Sequence, residues 1–200
     1  DPIDGTKGFM TGEGYVIGLA LVDSRGETLI GVMGVPSETE CPPIMAAVKG
    51  HGLKWWKAVG EEPTEYNPPP PSWLEKRDAA ASPPWLISPQ KSFPECQPFG
   101  PSHPPFVVCC GAMIKYFTTA AGRSAGFIQY EESLKSWDHA CGLICVDESG
   151  GSATDCRGNE VLFPDRIFKV DGGIVCASKY ATDEVKAKLL EAAKREAAAD

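Results

Sequence analysis

A layered α/β arrangement, an α+β sandwich, is predicted for this 200-residue chain by three observations. Two hairpin patterns rich in Val, Ile and Leu fill residues 14–57. A helical stripe of apolar residues runs through Ser136–Glu148. Strand-like and helix-like segments alternate from residue 106 to the end.

Residues 14–22 and 28–35 read as two strands joined by the turn-forming run Asp23-Ser24-Arg25-Gly26-Glu27. A second hairpin, 44–49 and 53–57, pivots on Gly50-His51-Gly52. Most of the chain's 18 prolines then fall between Pro63 and Pro105, four of them consecutive at 68–71. Proline lacks the amide donor that helices and central strands require, so this stretch is expected to be irregular or polyproline, either an inserted loop or a replacement of regular structure. Regularity returns with a strand at 106–110, a helix at 112–121 and a strand at 126–130. In Ser136–Glu148, Trp137, Ala140, Cys141, Ile144 and Cys145 recur as they do on a helix packed by one face onto a sheet, and Gly150-Gly151 ends it. A strand near 173–177 precedes a terminal Ala-, Glu- and Lys-rich helix, 183 to about 198. The expected organisation is an α+β half at 1–62, an irregular proline-rich insertion at 63–105 and an α/β half at 106–200.

A formal net charge of -8 argues against duplex nucleic acid or anionic lipid as the main partner, since both demand clustered Lys and Arg. The longest apolar run, 106–114, is far short of the roughly 20 residues that span a bilayer. Eight cysteines are scattered without a C-x-x-C pair or zinc-like spacing to His, which points to buried, reduced thiols in an intracellular protein. No signal peptide is recognisable in these residues, and a first residue of Asp leads us to expect that the native start lies upstream, so the compartment is not legible.

The chemistry concentrates at two places. In D-P-I-D-G-T, residues 1–6, Asp1, the Ile3 carbonyl and Asp4 can face one point if the chain turns sharply, and such hard oxygen ligands suit Mg²⁺. Gly5 and Thr6 then present backbone amides at the start of a short helix, where orphan donors attract a phosphate. The competing reading is an acidic turn that caps a helix. Asp138, in W-D-H-A-C-G at 137–142, sits in the first turn of the later helix, where an acid also simply stabilises the dipole by under about 1 kcal/mol.

Taken together, D-P-I-D-G-T at 1–6, W-D-H-A-C-G at 137–142 and E-S-G-G at 148–151 resemble the inositol monophosphatase superfamily of magnesium-dependent, lithium-sensitive phosphatases. Lys7-Gly8-Phe9 with Gly12-Glu13, the hairpin around Ala47-Val48-Lys49-Gly50, and Lys115-Tyr116 look most like its 3'(2'),5'-bisphosphate nucleotidases. The resemblance implies the inositol monophosphatase-like fold, its C-terminal portion without the N-terminal helices. It implies removal of the 3'(2')-phosphate of adenosine 3'(2'),5'-bisphosphate, a small-molecule substrate, by water with two or three Mg²⁺ ions. Asp1, Ile3, Asp4 and Asp138 would be metal ligands and Asp1 would bridge two ions. Thr6, with Asp4, would serve catalysis by orienting water, Gly5 and Thr6 would hold phosphate oxygens, and Lys115 would contact substrate.

The match has gaps. The family's upstream Glu-Glu motif is absent, so the chain is expected to be the C-terminal part of a longer protein, binding metal weakly and catalysing poorly as it stands. A His-containing motif is missing from 83–91, a family serine becomes Ala112, and a family arginine becomes Gln129. The last change removes the fork best suited to a second phosphate, and Ala112 and Gln129 together motivate an inositol phosphate as the alternative substrate. A non-catalytic metal- or phosphate-binding relative is the third reading. The pattern gives His139 a packing or capping role, and Cys141 that of a small apolar residue.

Overall fold

The computed structural model describes residues 1–12, 14–71, 84–87, 97–108, 111–130, 135–164, 168, 170 and 172–199. Both expected hairpins form and join into one antiparallel meander: β1 (Ile17–Val22), β2 (Thr28–Gly34), β3 (Ile44–Val48) and β4 (Leu53–Trp56), in that spatial order. The β1–β2 turn forms because Asp23 Oδ1 accepts the N–H groups of Arg25 (2.8 Å) and Glu27 (2.9 Å), an Asx-type turn. Gly26 takes φ 87° there, and a Cβ would strike the Phe163 backbone at 2.5 Å.

The second sheet has the order β6-β5-β7-β9-β8, built from β5 (Trp85–Ile87), β6 (Phe106–Val107), β7 (Gly126–Gln129), β8 (Ser152–Thr154) and β9 (Ile174–Ala177). Strand β5 pairs in parallel with β6 and β7, whereas β9 runs antiparallel to β7 and β8. The expectation of irregular chain over 63–105 is therefore corrected at Trp85–Ile87, where the sheet supplies the pairing that overrides the surrounding prolines. The expected strand at 106–110 appears as Phe106–Val107, while Cys109 and Cys110 lie outside the described residues.

Helix α1 (Thr6–Thr11) follows the opening motif. Helices α2 (Met113–Ala120) and α3 (Ser136–Glu148) pack against one another, with α3 seated on β1, β2 and β3 on one side and β8 and β9 on the other. Helix α4 (Asp183–Ala199) covers the far face of the second sheet, with Leu189, Ala192 and Ala193 against Ile128 and Val175. The layers run sheet, helices, sheet, helix.

This placement changes the reading of α3. The sequence pattern describes one apolar face, yet every residue from His139 to Val146 is buried, because the helix lies between two sheets. Small residues make room: a Cβ on Gly31 of β2 would meet Cys141 O at 2.6 Å, and one on Gly142 would meet Tyr116 Cγ at 2.3 Å. At its C-terminal end Glu148 grips the β3–β4 turn, its two oxygens each accepting one N–H, from Gly50 and Gly52, at 2.7 Å. The opposite face of the meander carries Ile17, Leu19, Leu21, Ile30 and Val48, all exposed. Among the described residues no helix is long and apolar enough to cross a membrane.

Candidate active site

The opening segment is held beside the start of β1 by a single antiparallel bridge between Asp4 and Val16. Asp4 and Val16 exchange backbone hydrogen bonds of 2.9 and 3.0 Å, and the Gly18 N–H donates to Asp1 O at 2.8 Å. Pro2 has no donor to lose, and the Ile3 N–H donates to Asp1 Oδ1 at 2.9 Å, which folds the Asp1 side chain back over the motif. Gly5 then adopts φ 88°, ψ 53°, the left-handed conformation that turns the chain into α1. Thr6, the first residue of α1, is exposed.

The Asp4 carboxylate is buried at 7% exposure and caps a distant helix: Ala112 N–H donates to Oδ1 at 3.1 Å and Met113 N–H to Oδ2 at 2.6 Å. Gly111 permits this, since a Cβ there would sit 2.4 Å from Asp4 Oδ2. Asp138 also serves a helix start, on α3: its Oδ2 accepts the Lys135 N–H at 2.7 Å while its own N–H donates to the Lys135 carbonyl at 2.9 Å. Each of the two helix starts thus carries one acid of the site.

Asp1, Asp4 and Asp138 converge: one carboxylate oxygen from each lies within 4.8 Å of the others, although the last two are 134 positions apart in the chain. Among the described residues this is the single cluster with the character of a metal site. Burial raises the Asp4 carboxyl above the ordinary carboxylate range, and the amides of Met113 and Ala112 and the charge of Lys115 oppose the rise only in part. A buried acid beside two others gains most from a cation, so the donor set fits a hard divalent ion. Ile3 lies between the two acids of the motif with its amide tied to Asp1.

Lys115 is not a solvated surface group. It is fully buried on α2, its Nζ donating to Gly111 O at 3.1 Å and lying 6.0 Å from the Phe127 ring centroid. Gln129, on the same strand as Phe127, is also buried, and its Oε1 has no hydrogen-bond partner. A cleft of about 400 Å³ opens at Asp1, lined also by Gly18, Leu19, Trp137, Phe163 and Phe168 among others.

His139 has the packing role expected of it. Its Nδ1 shares a 2.5 Å hydrogen bond with the Tyr116 hydroxyl, and burial with the nearby Lys115 charge pushes its pKa down to about 3. Cys141 is a buried thiol raised to about 12 by desolvation, which keeps it protonated and inert. Because the folded chain holds His139 neutral while the unfolded chain protonates near 6.5, the associated stability is complete above pH 6.5 and drains away toward pH 3. With metal chelated, we expect a loss on the order of 4 kcal/mol across that window. Urea unfolding at stepped pH checks this. The Tyr116→Phe/His139→Leu double variant should show a flatter profile, and identical profiles would refute the assignment.

Sequence reasoning missed the amides of Ala112 and Met113. The signal was present: the helix begins Gly-Ala-Met-Ile with no Ser, Thr, Asp or Asn at its cap, so its orphan donors need an acceptor from elsewhere.

Solved structures share this fold. The extragenic suppressor protein suhB from Bartonella henselae superimposes with a TM-score of 0.65 at 24% identity, over 97% of this chain and 70% of that one. CysQ from Bacteroides thetaiotaomicron, a bacterial member of the inositol monophosphatase family, gives 0.64 at 20% identity over 90% of this chain and 68% of that one. The fold is that of the inositol monophosphatase-like proteins. The inositol monophosphatase family model matches residues 1–195, and the chain belongs to that family. A 3'(2'),5'-bisphosphate nucleotidase of Oryza sativa is 32% identical over 203 residues, which cover 90% of this chain and 54% of the relative. The chain spans about half the length of the curated relatives it matches.

Proposed function

We propose that the chain carries the metal- and phosphate-binding part of an Mg²⁺-dependent phosphomonoesterase acting on the 3'(2')-phosphate of adenosine 3'(2'),5'-bisphosphate. The observation that carries this is the convergence of Asp1, Asp4 and Asp138 within 4.8 Å. Asp1, the Ile3 carbonyl, Asp4 and Asp138 would hold the ions. Bound Mg²⁺ would supply charge neutralisation at the phosphate and a more acidic water. Thr6, exposed at the mouth of the motif, would orient the attacking water by its hydroxyl, and the Gly5 and Thr6 amides would hold phosphate oxygens. Asp4 is held rigid by two backbone amides, so it is preorganised rather than recruited. Lys115 would add positive potential from behind Asp4.

One observation favours a second substrate of the same chemistry. Gln129 is neutral, buried and has an unpaired acceptor, so it suits a hydroxyl donor, as on an inositol phosphate, better than a second phosphate. Phosphate release from adenosine 3',5'-bisphosphate and from inositol 1-phosphate, at equal concentration with Mg²⁺ and with and without Li⁺, decides between them. The first reading expects faster, lithium-suppressed release from the nucleotide. Release from neither substrate, with metal binding intact, would leave the non-catalytic binding relative.

A further inference from the structure

Asp4 reads out the start of α2 and Asp138 the start of α3, so the spacing of these acids is the spacing of two helix ends. Something must fix it. One turn into α2, Tyr116 points its hydroxyl at His139, which follows Asp138 directly in sequence, and the 2.5 Å hydrogen bond between them lies wholly in the interior. The two rings meet edge to face, with centroids 5.9 Å apart at 74°. Gly142 lets the Tyr116 ring lie against the α3 backbone, where a Cβ would intrude to 2.3 Å. Beside it the Cys141 thiol contacts Met113 Sδ at 3.5 Å, joining the same two helices a second time.

We propose that the Tyr116 hydroxyl and His139 Nδ1 form a strut that sets the Asp4–Asp138 separation, making Tyr116 a positioning residue for the cation site although it touches no ligand. The inference rests on the metal-binding reading given above. The ring contacts alone would hold the helices together, but apolar contacts tolerate sliding, whereas a buried hydrogen bond between two rigid rings fixes distance and angle. A divalent ion shared by carboxylates is sensitive to shifts of a few tenths of an ångström.

The test separates stability from positioning. Mn²⁺ binding to the 200-residue chain is followed by the loss of the free-ion paramagnetic resonance signal, with Asp4→Asn as the background for surface carboxylates and the thermal midpoint recorded in chelator. Tyr116→Phe should weaken Mn²⁺ affinity about tenfold and lower the midpoint, since it leaves a buried ring nitrogen unpaired. The Tyr116→Phe/His139→Leu pair removes both polar partners, so the midpoint should recover while affinity stays weakened. Leu189→Ala, in the distant α4 core, should lower the midpoint and leave affinity unchanged. If affinity recovers with the midpoint in the double variant, or Tyr116→Phe binds as the native chain does, the pair is an ordinary core contact and the proposal falls. Should Tyr116→Phe fail to fold, the double variant alone decides. A native chain binding no more Mn²⁺ than Asp4→Asn overturns the metal reading itself, and the strut with it.

Discussion

Gly31→Ala is expected to destabilise the chain by about 3 kcal/mol, the upper range for overpacking a core. The added methyl would lie 2.4 Å from Ile144 Cγ2, 2.6 Å from Cys141 O and 3.0 Å from Cys141 Cα. A side-chain methyl can rotate aside, but two of those atoms are helix backbone, so α3 itself must retreat from β2. Retreat also stretches the contact of the Cys145 thiol with Gly31 O, 3.7 Å long. Gly34, on the same strand, has nothing within 4 Å of an added Cβ, so Gly34→Ala should fall within about 0.5 kcal/mol of the native chain. Urea unfolding of the two variants provides the contrast, and equal midpoints would show that α3 does not sit tightly on the meander.

The second large effect lies in the site. Asp4→Asn should reduce affinity for Mg²⁺ at least about a hundredfold, because it removes one of three converging charges at a buried position. Stability without metal should change by less than about 1 kcal/mol, since the amide oxygen still accepts one helix N–H while repulsion from Asp1 and Asp138 is relieved. Asp4→Ala keeps that relief but uncaps α2, and should cost a further 1–2 kcal/mol or so. The thermal midpoint with and without Mg²⁺ measures both quantities, because ligand binding to the native state raises it by mass action. If Mg²⁺ raises the midpoint of Asp4→Asn as much as that of the native chain, Asp4 is a helix cap and nothing more.

The two readings of the acids that compete at the level of sequence are both true of the folded chain. Asp4 and Asp138 do cap helices, and capping is what points them at one another. Sequence spacing showed acids at two helix starts, and only the resemblance of the motifs joined them, because no local rule relates residues 4 and 138. The hairpins were legible since their turns carry local Asp and Gly signals, although the hold of Glu148 on the second turn was not. Burial on all sides of α3 was not, because the polar-looking positions His139 and Gly142 owe their places to Tyr116 on another helix. For the same reason the short strand β5 was hidden: its pairing comes wholly from residues 106–107 and 126–127. Lys115 looked like a surface cation or a substrate contact, and its burial beneath Asp4 depends on a loop carbonyl that no periodicity marks.

The exposed row formed by Ile17, Leu19, Leu21, Ile30 and Val48 has a practical consequence for anyone handling this polypeptide. Water over so continuous an oily strip is readily given up to any surface that will replace it. The chain should therefore be adhesive: it should cling to phenyl resin, and in concentrated or salty solution to its own kind, while remaining fully folded.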